Sequence, residues 1–194
     1  MAPDAHPVLG IFASDQGPGD AERATIMSQA GSYLARKGAH LACVVDKPDD
    51  IPVPLLTSAR TAGGAVTLIA DEQFSEPNYL SGVTVEHIGT AEARIARLAS
   101  MSALYVALPG SLSSAIGLYR TWVQGGGGPG RKPVVFLDRH GAFKVMRGYA
   151  ADVLSTSVKG HDRYLQFADS IEDMWGKVTW LIDQGATSNR LAEK

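Results

Sequence analysis

The fold of this protein is decided by the stretch Ala107–Gly117, ALPGSLSSAIG, which joins an apolar run to an amphipathic one. The run that leads into it, Leu104–Leu108, is short and apolar, which is typical of a buried strand. The segment that follows, Ser113–Gln124, carries apolar residues at helical spacing. A strand that enters a helix through a turn rich in glycine and serine is a common way to bind phosphate. The stretch therefore predicts a strand–turn–helix unit that is a candidate anion site.

The same alternation of short apolar runs and helical segments continues along the chain. Further strands are predicted at Val8–Ala13, His40–Val45, Ala65–Ala70, Val83–Ile88, Pro133–Asp138 and Arg163–Phe167. Helices are predicted at Asp20–Lys37, at Pro54–Ala62, in the segment TAEARIARLASMS from Thr90, within Ala142–Leu154 and after Ser170. Apolar runs that alternate with helices indicate a mainly parallel sheet of about seven strands, covered on both faces. The expected fold class is a Rossmann-like, doubly wound α/β sandwich.

Ligands of such sheets bind beyond the carboxyl ends of the strands. The turns expected at that edge are Ser14–Gly19, Val45–Pro54, Asp71–Glu76, Pro109–Ser114 and Asp138–Ala142. The turn after the fifth strand is one of them, so its position fits a binding site.

The composition is that of an ordinary globular protein, with 45% apolar and 20% charged residues in a chain of 194. This length favours one compact domain that spans residues 1–194. The net charge of −2 provides no broad basic field, so neither nucleic acid nor a membrane is an expected partner. Cys43 is the single cysteine, which excludes an internal disulfide and fits a cytoplasmic protein. The N-terminus does not read as a signal peptide.

The residues of the turn after the fifth strand suit an anion. Pro109 ends the strand, and Gly110 allows a ligand to approach the backbone closely. Ser111, Ser113 and Ser114 supply hydroxyls beside the free amide hydrogens of the following helix, whose N-terminus carries a partial positive charge. Serine is also a preferred helix cap, so a plain capped connection stays open as the alternative.

Arginines and a second turn add to this candidate site. Arg94 and Arg97 lie three residues apart on one helix face, and a guanidinium near the turn would clamp a phosphate or carboxylate in bidentate fashion. Arg120 is a third candidate, and a solvated helix face is the alternative for each arginine. Ser14 follows the first strand, in a turn that lacks the GxGxxG spacing of a dinucleotide site.

Several other classes of site lack their sequence signal. No GxSxG elbow and no GxxxxGK[ST] loop is present, so neither an α/β-hydrolase nor a P-loop protein is indicated. The five histidines are dispersed without ligand spacing, and no metal is expected. No cofactor is expected either. A pyridoxal-phosphate-dependent decarboxylase is not indicated, because no lysine has a recognisable setting for that cofactor.

The order of elements and the segment Ala91–Val134 resemble the LOG ("lonely guy") family. Its members are cytokinin-activating phosphoribohydrolases that are often labelled lysine decarboxylases. Its hallmark is a PGGxGTxxE turn between an arginine-bearing helix and a T-W…K-P-V segment. Here Arg94 stands at the place of the family's catalytic arginine, and the downstream segment is matched by Thr121-Trp122, Gln124 and Lys132-Pro133-Val134. IFASDQG resembles the family's first turn and places Ser14 at a serine position.

The motif itself departs from the family. PGGxGTxxE has become Pro109-Gly-Ser-Leu-Ser-Ser-Ala-Ile-Gly117, so Gly117 replaces the glutamate. The family's glycine-rich turn after the second strand is also absent. The serines still supply donors for a phosphate, whereas cleavage of an N-glycosidic bond lacks the carboxylate that commonly assists it. Glu86, Glu92 and Asp138 are the carboxylates that could replace it at the strand ends.

The resemblance implies a binder of a nucleoside 5′-monophosphate, and three functions remain open. In the first, the protein hydrolyses its ligand to free base and ribose 5-phosphate, with Arg94 at the ribosyl phosphate and Ser14 at the ribose. In the second, it is catalytically inactive and holds a nucleotide or another phosphorylated ligand as a sensor or carrier. In the third, it is an enzyme of different chemistry with a relocated acid. Apolar helix faces around Leu98 and Tyr119–Val123, together with the resemblance, favour a homodimer.

Overall fold

The computed structural model of the protein describes residues 6–14, 20–47, 50–124, 132–157 and 163–192. Its strands are β1 (Val8–Phe12), β2 (His40–Val44), β3 (Val66–Ala70), β4 (Thr84–His87), β5 (Leu104–Ala107), β6 (Val134–Leu137) and β7 (Leu165–Ala168). They form one seven-stranded sheet in the order β4-β3-β2-β1-β5-β6-β7. All neighbouring pairs are parallel. The predicted Rossmann-like α/β fold is confirmed.

Helices occupy the connections between the strands. They are α1 (Asp20–Arg36), α2 (Val53–Thr61), α3 (Ala91–Met101), α4 (Leu112–Gln124), α5 (Lys144–Tyr149), α6 (Ser155–Ser157) and α7 (Ile171–Ala192). A π-helical stretch, Ala150–Leu154, joins α5 to α6. Short 3₁₀ turns lie at Asn78–Leu80 and Arg139–Gly141. The second of these lies within the turn that the sequence predicted at Asp138–Ala142. The first was not predicted, because a single short turn has no periodic pattern.

The helix ends follow from local side-chain chemistry. Thr90 caps α3, since its Oγ1 accepts a hydrogen bond from the Ala93 amide at 3.2 Å. Ser170 caps α7 in the same way, with its Oγ 3.1 Å from the Asp173 amide. Gly38 ends α1 with a φ of +82°, a conformation that glycine adopts without strain.

The two faces of the sheet are covered by different helices. Alternate strand residues, such as Leu41 and Cys43, pack against α1, α2 and α7. The intervening residues, such as Ala42 and Tyr105, belong to a second, smaller cluster that includes Leu98 of α3. The second face therefore has the thinner cover.

The strand order places a crevice at the centre of the sheet. From β1 the chain builds outward through β2 to β4, and then crosses back to add β5 on the other side of β1. The connections that leave β1 and β5 therefore diverge, and a ligand crevice forms at such a switch point. Among the described residues, no helix is both long and apolar enough to cross a membrane.

Candidate ligand-binding site

The turn after β5 lies directly against the end of β1. A Cβ added to Gly110 would come within 2.4 Å of Ser114 Oγ and 3.1 Å of the Ser14 backbone nitrogen. Both distances are shorter than ordinary Cβ contacts, so only glycine fits here without a shift of its neighbours. The sequence predicted that Gly110 allows a ligand to approach the backbone closely. The structure shows that glycine is needed at this position because the end of β1 comes equally close to it.

Two serines organise the first turn of α4. The Ser114 hydroxyl donates to the Ser111 carbonyl at 2.8 Å, and the Ser114 amide lies 3.4 Å from Ser111 Oγ. Both serines are half-buried and line the clefts on either side of the turn. Ser113 lies in the same helical turn, but its side chain is outside the described part of the structure. The α4 terminus thus carries hydroxyls as well as backbone amides beside open space.

The first cleft, of about 310 Å³, opens between the ends of β1 and β2 and the helices α3 and α4. Its polar lining consists of Ser14, Asp46, Lys47, Asp50, Ser111, Ser114 and Arg120. Ser14 is buried at the end of β1 and lines this cleft, and its contact with a ligand remains a prediction. Lys47 and Arg120 are exposed, and neither forms an ion pair with a residue that the structure describes. Two cations are therefore available to a ligand in this cleft.

Arg94 lies beneath the rim of the first cleft. Its Nη2 donates to Asp46 Oδ1 at 2.6 Å, and its Nη1 donates to the carbonyls of Ile88 at 3.0 Å and Gly89 at 3.3 Å. The side chain is 7% exposed, and its Nε is buried without a partner among the described residues. The guanidinium thus connects α3 to the connections after β2 and β4. A direct contact between Arg94 and a ligand phosphate remains a prediction.

The three carboxylates predicted as substitute acids lie apart from one another. Glu86 accepts two hydrogen bonds from Arg97, at 2.7 and 2.9 Å, and this pairing lowers the pKa of Glu86 and raises that of Arg97. Glu92 is exposed in the first turn of α3. Asp138 is buried and accepts from the Phe143 amide at 2.7 Å and from Arg147 Nε at 2.9 Å. None of the three is among the described residues that line the two clefts. A catalytic role for them remains a prediction.

Gly117 lies in the wall of the first cleft. A Cβ at this position would meet the Phe12 ring at 3.7 Å, an ordinary van der Waals contact. Position 117, where the family motif has a glutamate, thus borders the candidate site, and the structure has room there for a Cβ atom.

The second cleft lies on the other side of the turn, beyond the ends of β5 and β6, and measures about 660 Å³. Its walls include the polar residues Glu22, Arg23, Arg139 and His140 and the apolar residues Leu118, Phe143 and Met146.

The sequence predicted the turns on both sides of the second cleft, Pro109–Ser114 and Asp138–Ala142. It did not identify Asp46 and Lys47 as residues that line the first cleft, or Arg139 as a residue that lines the second. Their position directly after β2 and β6 is the signal that could have found them. Among the described residues, no three His, Cys, Asp or Glu side chains gather as a metal site.

Comparisons with known proteins identify the fold. No family model matches the chain, and no curated protein shows significant similarity. The molybdenum cofactor carrier protein of Chlamydomonas reinhardtii has 16% identity and a TM-score of 0.66, over 92% of this chain and 99% of that one. The protein TM1055 has 19% identity and a TM-score of 0.64, over 92% and 99%.

A third solved structure is that of the molybdenum cofactor binding protein of the phototrophic bacterium Rippkaea orientalis. It has 16% identity and a TM-score of 0.64, over 91% of this chain and 98% of that one. At these identities the likeness establishes the fold alone. This chain therefore shares its Rossmann-like α/β fold, over nearly its whole length, with molybdenum cofactor carrier and binding proteins.

Proposed function

We propose that this protein binds a small phosphorylated ligand at the first cleft and holds it intact, as a carrier or sensor. The observation that supports the proposal is the convergence of five polar groups at the switch point. These are the N-terminus of α4, the hydroxyls of Ser111 and Ser114, and the side chains of Lys47 and Arg120.

This arrangement suits an anion for electrostatic reasons. The Ser114 amide is capped by the Ser111 hydroxyl at 3.4 Å, whereas the amides before it in α4 have no partner within the helix. The helix dipole adds about half a positive charge at that end. Charge-assisted hydrogen bonds from Lys47 and Arg120 would each add about 1.5–3 kcal/mol of binding free energy. Asp46 also lines the cleft and supplies an acceptor, where a hydroxyl or amino group of the same ligand would bind.

Binding without cleavage is favoured by the loss of the motif glutamate and by the pairing of two of the candidate acids with arginines. The motif position holds Gly117, while Glu86 and Asp138 are engaged with Arg97 and Arg147 away from the cleft. Two of the similar structures belong to proteins named for carrying or binding the molybdenum cofactor. These names are consistent with a role in which the present protein binds a small molecule and carries it without transforming it.

Hydrolysis of a nucleoside 5′-monophosphate is the second candidate, and one observation favours it. Asp46 lines the first cleft, 53% of its side chain is exposed, and Arg94 holds it at 2.6 Å. An arginine–carboxylate pair therefore still borders the cleft, although the carboxylate follows β2 instead of lying on α4. The carboxylate of Asp46 would then stabilise the positive charge that develops on the ribosyl ring, or accept a proton from the attacking water.

Incubation with 5′-AMP and other nucleoside monophosphates, with chromatography for free base, separates the two candidates. Calorimetry in parallel measures binding. We expect saturable binding and no base release from the wild type. Release that Asp46→Asn abolishes, and that the exposed Glu172→Gln change in α7 leaves intact, would establish the second candidate and contradict the first.

A homodimer is also proposed, with α4 at its interface. Leu98 is fully buried within the chain, so it does not contribute to an exposed face. Ile116 and Tyr119 of α4 are 44% and 65% exposed, on the side of the sheet that has the thinner cover. Light scattering of the wild type should give twice the chain mass, and Tyr119→Glu should give the monomer. A wild-type monomer at all concentrations tested would contradict this.

A further inference from the structure

The second cleft has a largely apolar lining. Phe143 lines it, and the edge of its ring contacts Phe136 of the core, with the ring centroids 5.0 Å apart. Met146 is half-buried in the same wall, while Leu118 of α4 and Ile26 of α1 are buried in other parts of the lining. The volume of about 660 Å³ lies in the range of small-molecule pockets, which are typically apolar with a few polar groups that fix orientation. The cleft therefore suits a ligand with an apolar body.

The aromatic wall of this cleft is attached to the sheet. One carboxylate oxygen of Asp138 accepts from the Phe143 amide at 2.7 Å, and the other accepts from Arg147 Nε at 2.9 Å. Arg147 in turn lies over the ring of Phe167, 5.0 Å from its centroid. Because Asp138 directly follows β6 and Phe167 belongs to β7, two strands hold the wall. The cleft is therefore formed before any ligand enters it.

A cation at the rim has no opposite charge beside it. Arg139 lines the cleft and forms no ion pair with a residue that the structure describes. Its Nη1 donates to Gln29 Oε1 of α1 at 3.3 Å, and this neutral partner does not compensate the charge of the guanidinium. A guanidinium presents paired N–H donors that match the two oxygens of a carboxylate. Arg139 is thus suited to bind the carboxylate of a ligand whose apolar body enters the cleft.

The same rim favours a ligand with a single negative charge. Glu22 lines the cleft, and its Oε1 lies 3.1 Å from His140 Nε2, so one carboxylate already borders the opening. A second negative charge on the ligand would be repelled by Glu22, because like charges repel at short range. His140 also has a φ of +56°, and such conformations concentrate at functional sites. A monocarboxylate therefore fits this rim better than a doubly charged phosphate ester.

From these features we propose that the second cleft is a separate site for a monocarboxylate with an apolar body, such as a medium-chain aliphatic acid. The body packs against Phe143, Met146 and Leu118, and the carboxylate binds Arg139. Val145, which is 85% exposed beside the cleft, is covered when the ligand binds. The proposed contacts include none of the cations of the first cleft, so the inference goes beyond the proposed function and does not depend on it.

The test is a homologous series of carboxylates on the full chain. Calorimetry at neutral pH gives a Kd for butanoate, hexanoate and octanoate, and for octanamide as the neutral counterpart of octanoate. Each pair of added methylene groups should tighten binding about tenfold, because these groups leave water for the apolar lining. Octanoate should also bind about tenfold more tightly than octanamide, because only octanoate forms a charge-assisted hydrogen bond with an arginine.

Two variants with matched controls assign these effects to residues. Arg139→Gln should weaken octanoate binding about tenfold and leave octanamide binding unchanged, whereas Arg36→Gln at the far end of α1 should change neither. Met146→Gln should reduce the gain for each pair of methylene groups to below threefold. Tyr149→Gln changes an exposed residue of the same helix outside both clefts and should leave that gain intact.

Several results would overturn the carboxylate site. They are the absence of saturable octanoate binding, equal affinities along the series, and equal affinities for octanoate and octanamide. Weakening of octanoate binding by Lys47→Met with Arg120→Met, equal to that by Arg139→Gln, would place the carboxylate in the first cleft instead. Light scattering tests another occupant, since a dimer that octanoate dissociates would show that a second copy of the chain fills the second cleft. Each of these results leaves phosphate binding at the α4 turn to its own titration.

Discussion

Arg94 and Asp46 form a 2.6 Å ion pair that ties α3 to the end of β2. The guanidinium also donates to two backbone carbonyls after β4, so one buried side chain links three connections at the carboxyl edge of the sheet. Arg94, which the family resemblance places at a catalytic position, therefore also holds together the connections that border the first cleft.

Replacement of Arg94 should destabilise the protein. Arg94→Met removes the ion pair and leaves two carbonyls without their donor, so we expect the free energy of unfolding to fall by about 2–3 kcal/mol. The matched control is Arg97→Met, which breaks an exposed pair with Glu86 and should lower it by no more than about 1 kcal/mol. Urea denaturation measures both. Equal effects would show that Arg94 does not hold the connections together.

Gly110→Ala should close the turn after β5. The new Cβ would collide with Ser114 Oγ and the Ser14 backbone, and the shift should destabilise the protein by about 1–3 kcal/mol and weaken binding of phosphate esters. Gly176→Ala is the control, since nothing lies within 4 Å of its Cβ in α7. That change should stabilise the helix by about 0.5–1 kcal/mol. Thermal denaturation and calorimetry on both variants test this prediction. If Gly110→Ala lowers neither the stability nor the affinity for phosphate esters, the close contact between the turn after β5 and the end of β1 is contradicted.

Acidification should destabilise the protein partly through His40. Burial lowers the pKa of His40 below its usual 6.5, although Glu86 nearby opposes this. In the window between the lowered folded-state pKa and 6.5, the unfolded chain binds more protons, so stability falls as the pH falls. His40→Gln should flatten the decline between pH 7 and pH 5, measured by urea denaturation at each pH. An unchanged slope in this variant would exclude His40 as a contributor.

The Cys43 thiol should be unreactive toward thiol reagents in the folded protein. It is 2% exposed at the base of the first cleft, and burial raises the pKa of its thiol to about 12. Because the thiolate is the reactive form, a disulfide reagent at pH 8 should label the single cysteine only after urea is added. Rapid labelling without denaturant would show that the floor of the cleft opens easily.

The architecture was predictable because its signals are local. Apolar runs at Leu104–Leu108 and Pro133–Asp138 and the caps at Thr90 and Ser170 each fix one element without knowledge of the others. The helix predicted within Ala142–Leu154 was located correctly, but its π-helical stretch was not foreseen. Such a stretch depends on packing between elements and leaves no periodic pattern.

The candidate site was predictable only in part. Ser14, Gly110, Ser111 and Ser114 were identified, and the structure brings them together, because strand ends of a parallel sheet meet at one edge. The pairing of Arg94 with Asp46 joins residues that are 48 positions apart. No local pattern encodes such a contact, and the second cleft likewise arises from elements that meet only in the folded chain.

The central claim is that the α4 turn binds a phosphate with help from Lys47 and Arg120, and a titration with ribose 5-phosphate tests it most directly. Calorimetry should show one saturable site in the wild type, and Lys47→Met with Arg120→Met should weaken it by about tenfold or more. Arg36→Met with Lys37→Met removes the same charge from the far end of α1 and should leave the affinity unchanged. Absence of saturable binding in the wild type, or equal weakening by both double variants, would contradict the account.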